Sequence, residues 1–149
     1  AQAFATNTMA IAVPPGNPAG IRTFADLARP GLAVVVCAPQ VPCGAATTRV
    51  AAASGVTLAP VSEEGSVTDV LGKVTAGEAD AGVVYATDVA GAGGAVAAVA
   101  IPSAVNTTNT YPIAVLAGSR DPGLAGQFRA LVLGPEGREV LADAGFGAP

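Results

Sequence analysis

Apolar runs of strand length alternate along the chain with stretches of helical spacing, the pattern of an α/β protein. Residues 8–13 read as a strand, closed by Pro14, Pro15 and Gly16. Thr23 is placed to cap a short helix over Phe24, Leu27 and Ala28, which Pro30 stops. Residues 32–36 form a β-branched run of the kind buried on both faces of a parallel sheet. An Ala-rich helix over 44–54 ends at Gly55, and residues 57–61 read as a short strand. The strongest helical signal covers 66–76, where Val67, Val70, Leu71 and Val74 make one apolar stripe. Ser66 suits its N-cap, with Asp69 placed like the acid of a capping box. Residues 81–85, 96–101 and 112–116 read as further strands. Two tail helices, 122–133 and 135–144, each open on a proline. There is no internal repeat, and Asn106-Thr-Thr-Asn-Thr110 is the polar run long enough to cross between lobes.

Composition narrows the function classes. Of 149 residues, 51% are hydrophobic but only 4% aromatic, so the core is built from small side chains. Seven basic residues face eleven acidic ones, and Lys73 is the single lysine, which argues against nucleic acid as a partner. The absence of histidine removes the commonest general base and the usual ligand of catalytic zinc. Mean hydropathy is +0.54. The longest apolar stretch, 83–105, is nonetheless interrupted by Asp88 and by Gly91, Gly93 and Gly94, so no membrane span is expected. The opening Ala1-Gln2-Ala3-Phe4 lacks the pattern of a signal peptide.

Candidate chemistry sits where strands hand over to helices, since α/β folds bind ligands at the carboxyl edge of parallel strands. The first place is the segment from Cys37 to Gly44, which leaves first-turn N–H groups near Cys43 and Gly44 without intrahelical partners. The second is Gly65-Ser66-Val67; if Ser66 caps Thr68 or Asp69, the N–H of Val67 stays available. Two such termini aimed at one spot make an anion site without any cation. Ordinary solvated loops satisfy the same spacing. The third is Tyr85, whose hydroxyl can meet a ligand at the end of its strand, although such a tyrosine is more often a core-edge residue. Cys37 and Cys43 have too few companions to hold a metal, and Cys43 near a helix start could be a reactive thiol. A disulfide between them is the better reading and implies an oxidising compartment. Glu63 and Glu64 precede the second helix start and must point away from any anion held there.

Four segments in order then become informative: residues 4–18, Cys-Ala-Pro-Gln-Val-Pro-Cys-Gly44, Gly82-Val-Val-Tyr-Ala-Thr-Asp88 and Tyr111-Pro-Ile-Ala-Val115. Together they resemble the molybdate-binding periplasmic proteins of bacterial ABC importers. The resemblance implies a type II periplasmic-binding-protein lobe of α/β class, with a parallel-rich sheet flanked by helices. It places ligand donors on the backbone N–H of Cys43, the N–H of Val67 and the hydroxyl of Tyr85. It implies a hinge over 1–7, a complete lobe over 8–105, a crossover over 106–111, and helices over 112–149 belonging to an incomplete first lobe. The family's first lobe also contributes serine donors, for which residues 1–149 offer no candidate. The function so implied is non-enzymatic capture of molybdate or tungstate outside the cytoplasm, with no cofactor and no resident metal. An ABC permease is the expected partner, a lipid anchor ahead of Ala1 is compatible, and the uncovered tail face invites self-association. The rival readings are the ligand-sensing effector domain of a LysR-type regulator and an enzyme using Cys43 as nucleophile.

Overall fold

The computed structural model describes all of residues 1–149. Its elements are β1 (Gln2–Val13), a 3-10 turn (Phe24–Ala28), β2 (Val34–Cys37), α1 (Pro42–Ser54), β3 (Ser62–Glu64), α2 (Val67–Thr75), β4 (Ala81–Tyr85), α3 (Ala86–Gly91), β5 (Ala97–Ala100), β6 (Thr108–Ile113), α4 (Pro122–Leu133) and α5 (Pro135–Asp143). The chain divides into two compact units, residues 8–107 and residues 1–7 with 108–149.

In the larger unit the sheet order is β3-β2-β4-β1-β5. β2 runs parallel to both β3 and β4, while β1 is antiparallel to β4 and β5. The two-residue period of a strand sends alternate side chains to opposite faces. Val34, Val36, Val83, Met9, Ile11 and Val13 pack on one face with Ala46 and Val50 of α1 and with Phe24 and Leu27. Val35, Cys37, Val84 and Ala12 pack on the other with Val70 and Val74 of α2. The predicted α2 stripe is thus the face that meets the sheet. Gly82 permits the close seating: a Cβ there would lie 2.7 Å from Val70 Cγ1 and 3.0 Å from Val74 Cγ2. Asn106 closes the unit, its Nδ2 donating to the Met9 carbonyl at 2.8 Å and its Oδ1 accepting from Met9 N–H at 3.0 Å.

The largest local differences from the sequence reading lie in four places. Residues 57–61 are not a strand; the strand lies at Ser62–Glu64 and pairs with β2 from Val35↔Ser62 to Cys37↔Glu64. Pro60 lacks an N–H for a ladder, and an edge strand tolerates the polar Ser-Glu-Glu run that its composition disguised. β1 begins at Gln2, so residues 2–7 are strand. β6 starts in the polar run at Thr108 and ends at Ile113, because alternating Thr and Asn suit a half-exposed strand better than the predicted 112–116. The short helix α3 carried no stripe to reveal it.

The smaller unit pairs β6 with β1. Tyr111 lies between Phe4 and Phe146, with ring centroids at 6.4 and 5.8 Å. Thr6 and Gly147 exchange two backbone hydrogen bonds of 2.9 Å. The N-cap Asp121 accepts from Leu124 N–H at 2.8 Å, and Pro122 follows at the first turn of α4. Neither α4 nor α5 has a buried residue, and Phe128 and Val140 are 61% and 69% exposed. Around them an apolar cavity of about 460 Å³ is lined by Phe4, Ile113, Phe128, Leu131, Val132 and Val140, among others. No helix is long and apolar enough to cross a membrane.

Candidate oxyanion site

The parallel strands β2, β3 and β4 end at Cys37, Glu64 and Tyr85, and each hands over to a helix. The pairing of Cys37 with Glu64 and of Val35 with Gly82 puts those ends at one edge of the sheet. The N-termini of α1, α2 and α3 therefore share the carboxyl edge, where α/β sheets take ligands. All three predicted positions, Cys43, Val67 and Tyr85, stand on this edge.

Helix α1 begins at Pro42, two residues earlier than its Ala-rich stretch suggested. Pro42 occupies its first turn, a signal that the same residue in the tail helices had already illustrated. Its N-cap, Val41, makes no side-chain capping bond. The first intrahelical bond is donated by Ala45 N–H to the Val41 carbonyl at 2.9 Å, so the N–H groups of Cys43 and Gly44 have no carbonyl behind them in the helix. The loop is cross-linked as expected: Cys37 and Cys43 form a disulfide across 5.7 Å between Cα atoms, both residues being buried. With no free cysteine, Cys43 is not the nucleophile considered above. Gly44 is packed against the Ala38 carbonyl, a position where a Cβ would collide with backbone.

Helix α2 is capped by Ser66, whose Oγ accepts from Asp69 N–H at 3.2 Å and donates to Asp69 Oδ2 at 2.7 Å. Val70 N–H reaches the Ser66 carbonyl at 3.4 Å. That leaves the Val67 and Thr68 N–H groups as the first-turn donors without an intrahelical acceptor. Thr68 is the position that the sequence reading missed, though it follows directly once Ser66 is placed as the cap.

The two glutamates diverge because they alternate on an edge strand. Glu63 pairs with Val36 and lines a cavity of about 210 Å³ on the α1 face, beside Thr47 and Gly44. Glu64 sits on the α2 face, where Lys73 Nζ lies 2.5 Å from its Oε1 and 2.9 Å from Ser62 Oγ. Ser62 also donates to the same carboxylate oxygen. The hydrogen bond from Lys73, then that from Ser62, holds the Glu64 carboxyl below its ordinary range.

Tyr85 is half-buried and packs against both core clusters. It also serves as the N-cap of α3, its N–H donating to Asp88 Oδ2 at 2.8 Å. Burial pushes the Asp88 carboxyl above its ordinary value, against the smaller lowering effect of that hydrogen bond. No three His, Cys, Asp or Glu side chains gather to hold a metal ion. The edge therefore offers main-chain donors and a phenol, with the Glu64 carboxylate paired to Lys73. Such a surface suits a small anion better than a cation.

Comparison with known proteins agrees in kind. The family described as bacterial extracellular solute-binding protein matches residues 1–147. The chain belongs to that family. Among curated members it is 54% identical to the molybdate-binding protein ModA of Mycobacterium tuberculosis, over 98% of this chain and 56% of that protein. The chain thus spans a little over half the length of the curated relatives it matches. Among solved structures it superposes on the substrate binding domain of a putative molybdenum ABC transporter from Clostridium difficile, with TM-score 0.76 and 19% identity, covering 99% of this chain and 66% of that one. It likewise matches the sulfate-binding protein SubI of M. tuberculosis, with TM-score 0.75 and 26% identity, covering 97% of this chain and 57% of that one. These solute-binding proteins share the type II periplasmic-binding fold expected from the sequence.

Proposed function

We propose that this chain is part of an extracytoplasmic protein that captures molybdate, and with it tungstate, for an ABC importer. The observation that carries the reading is the 54% identity to a molybdate-binding protein across 98% of the chain. Cys43 N–H, Val67 N–H and the Tyr85 hydroxyl are the proposed donors of this half of the site. The remaining donors would come from a first lobe, to which residues 112–149 also belong. Capture needs no cofactor, and the dianion is held by local dipoles despite a formal net charge of −4. The disulfide suits an oxidising compartment and counts against a cytoplasmic effector domain. Equilibrium dialysis of the complete protein tests the reading. Molybdate should be retained and displaced by tungstate, whereas retention of neither would refute it.

The exposed face of α4 and α5 belongs to the same proposal. Residues 1–149 expressed alone should self-associate to cover Phe128, Leu131 and Val140, because apolar surface of this extent is seldom left in water. Light scattering should give a species larger than 14.3 kDa. Phe128→Glu should shift it toward monomer, and a parent already monomeric without dye binding would contradict the expectation.

A further inference from the structure

The single lysine of the chain makes an unusual contact for a residue in the last turn of a helix. Helical side chains lean toward the N-terminus, so Lys73 reaches back along α2 to the end of β3. There its ammonium meets Glu64 and Ser62 together, rather than the open carbonyls of its own helix end. Glu64 stands two residues before Ser66, the cap of the very helix whose first-turn N–H groups are proposed to hold a dianion. An unpaired carboxylate at that edge would oppose an oxyanion and compete for the same positive helix end. Ser62 completes the arrangement, since Ser62 and Glu64 share a strand face and both face α2.

We propose that Lys73 is a positioning residue for oxyanion capture, cancelling the Glu64 charge and tying its carboxylate to Ser62 away from the α2 N-terminus. The inference rests on the molybdate reading above. Lys73 itself touches no ligand; it acts through Glu64. Its effect is therefore electrostatic, and should fade at high salt as charges are screened.

A double-mutant cycle on the complete protein tests this, with molybdate affinity measured by calorimetry at low and high ionic strength. Lys73→Met should weaken binding about tenfold at low salt and much less at 0.5 M salt, where the Debye length falls to about 4 Å. Glu64→Gln should stay close to the parent, and Lys73→Met combined with Glu64→Gln should recover most of the loss. Lys73→Arg, which keeps the charge, should bind nearly as well as the parent and guards against a misfolded methionine variant. Equal affinity of parent and Lys73→Met would overturn the inference while leaving the molybdate reading intact. So would a double variant as weak as Lys73→Met alone. A parent that binds no molybdate would instead overturn the reading itself, and the inference with it.

Discussion

Val67→Pro is expected to weaken molybdate binding by about 10- to 100-fold with the fold retained, because it deletes one N–H and replaces a partly buried valine by an apolar ring of similar size. Proline is at home in the first turn of a helix, where its missing N–H has no intrahelical acceptor. The preceding residue must be extended, and Ser66 already has φ −147° and ψ 155°. The Ser66 cap to Asp69 N–H does not involve the lost group. Tyr85→Phe should cost about 1–3 kcal/mol of binding, the value of one hydrogen bond to a charged acceptor. Replacing both Cys37 and Cys43 by alanine should leave the backbone donor in place and lower stability by about 2 kcal/mol. The contrast between Val67→Pro, which removes a main-chain donor, and the cysteine replacement, which keeps one, separates main-chain from side-chain recognition. Melting curves establish that each variant is folded, and calorimetry ranks them. Val67→Pro binding as tightly as the parent would sink the helix-terminus mechanism.

Gly44→Ala is expected to destabilise the protein by about 3 kcal/mol or more, the most damaging single methyl addition in the larger unit. The added Cβ would overlap the Ala38 carbonyl and lie 2.7 Å from the Cys37 carbonyl oxygen. These are backbone atoms of the disulfide loop, so no side chain can swing aside. Relief would require α1 to lift from the end of β2, moving the Cys43 N–H with it. Gly72→Ala makes the control, since nothing lies within 4 Å of its Cβ and the position is helical. It should stabilise by up to about 1 kcal/mol. Denaturant midpoints for the two variants should therefore move in opposite directions. An unchanged midpoint for Gly44→Ala would show that the loop is softer than its contacts imply.

What could be read ahead of the structure follows a physical line. The helix α2 was legible because its stripe of Val70 and Val74 is buried against the sheet and its cap is a serine, two signals that agree. The buried strands β2 and β4 were legible from β-branched composition, and the disulfide from there being only two cysteines six residues apart. The edge strand Ser62–Glu64 was not, because its stability comes from pairing with β2 rather than from its own side chains. Helix α3 was missed for a related reason: six residues hold no periodicity, and its start is fixed by the Tyr85–Asp88 hydrogen bond. Within the candidate site, main-chain donors followed from helix starts alone. The neutralisation of Glu64 did not, since it needs Lys73 to reach back across nine residues to another element.

Recognition by donors alone makes a sharp distinction between oxyanions of equal charge. Fully ionised molybdate offers only acceptors, whereas monohydrogen phosphate carries a proton that needs an acceptor of its own. A buried hydroxyl left without one costs about 1–3 kcal/mol, and more beside a charge. Thermal unfolding of the complete protein, followed with either anion at matched concentration and neutral pH, measures this directly. Molybdate should raise the melting temperature and phosphate should leave it where it was. Equal stabilisation by the two, or none by molybdate, would contradict capture of a dianion by helix N–H groups and the Tyr85 hydroxyl.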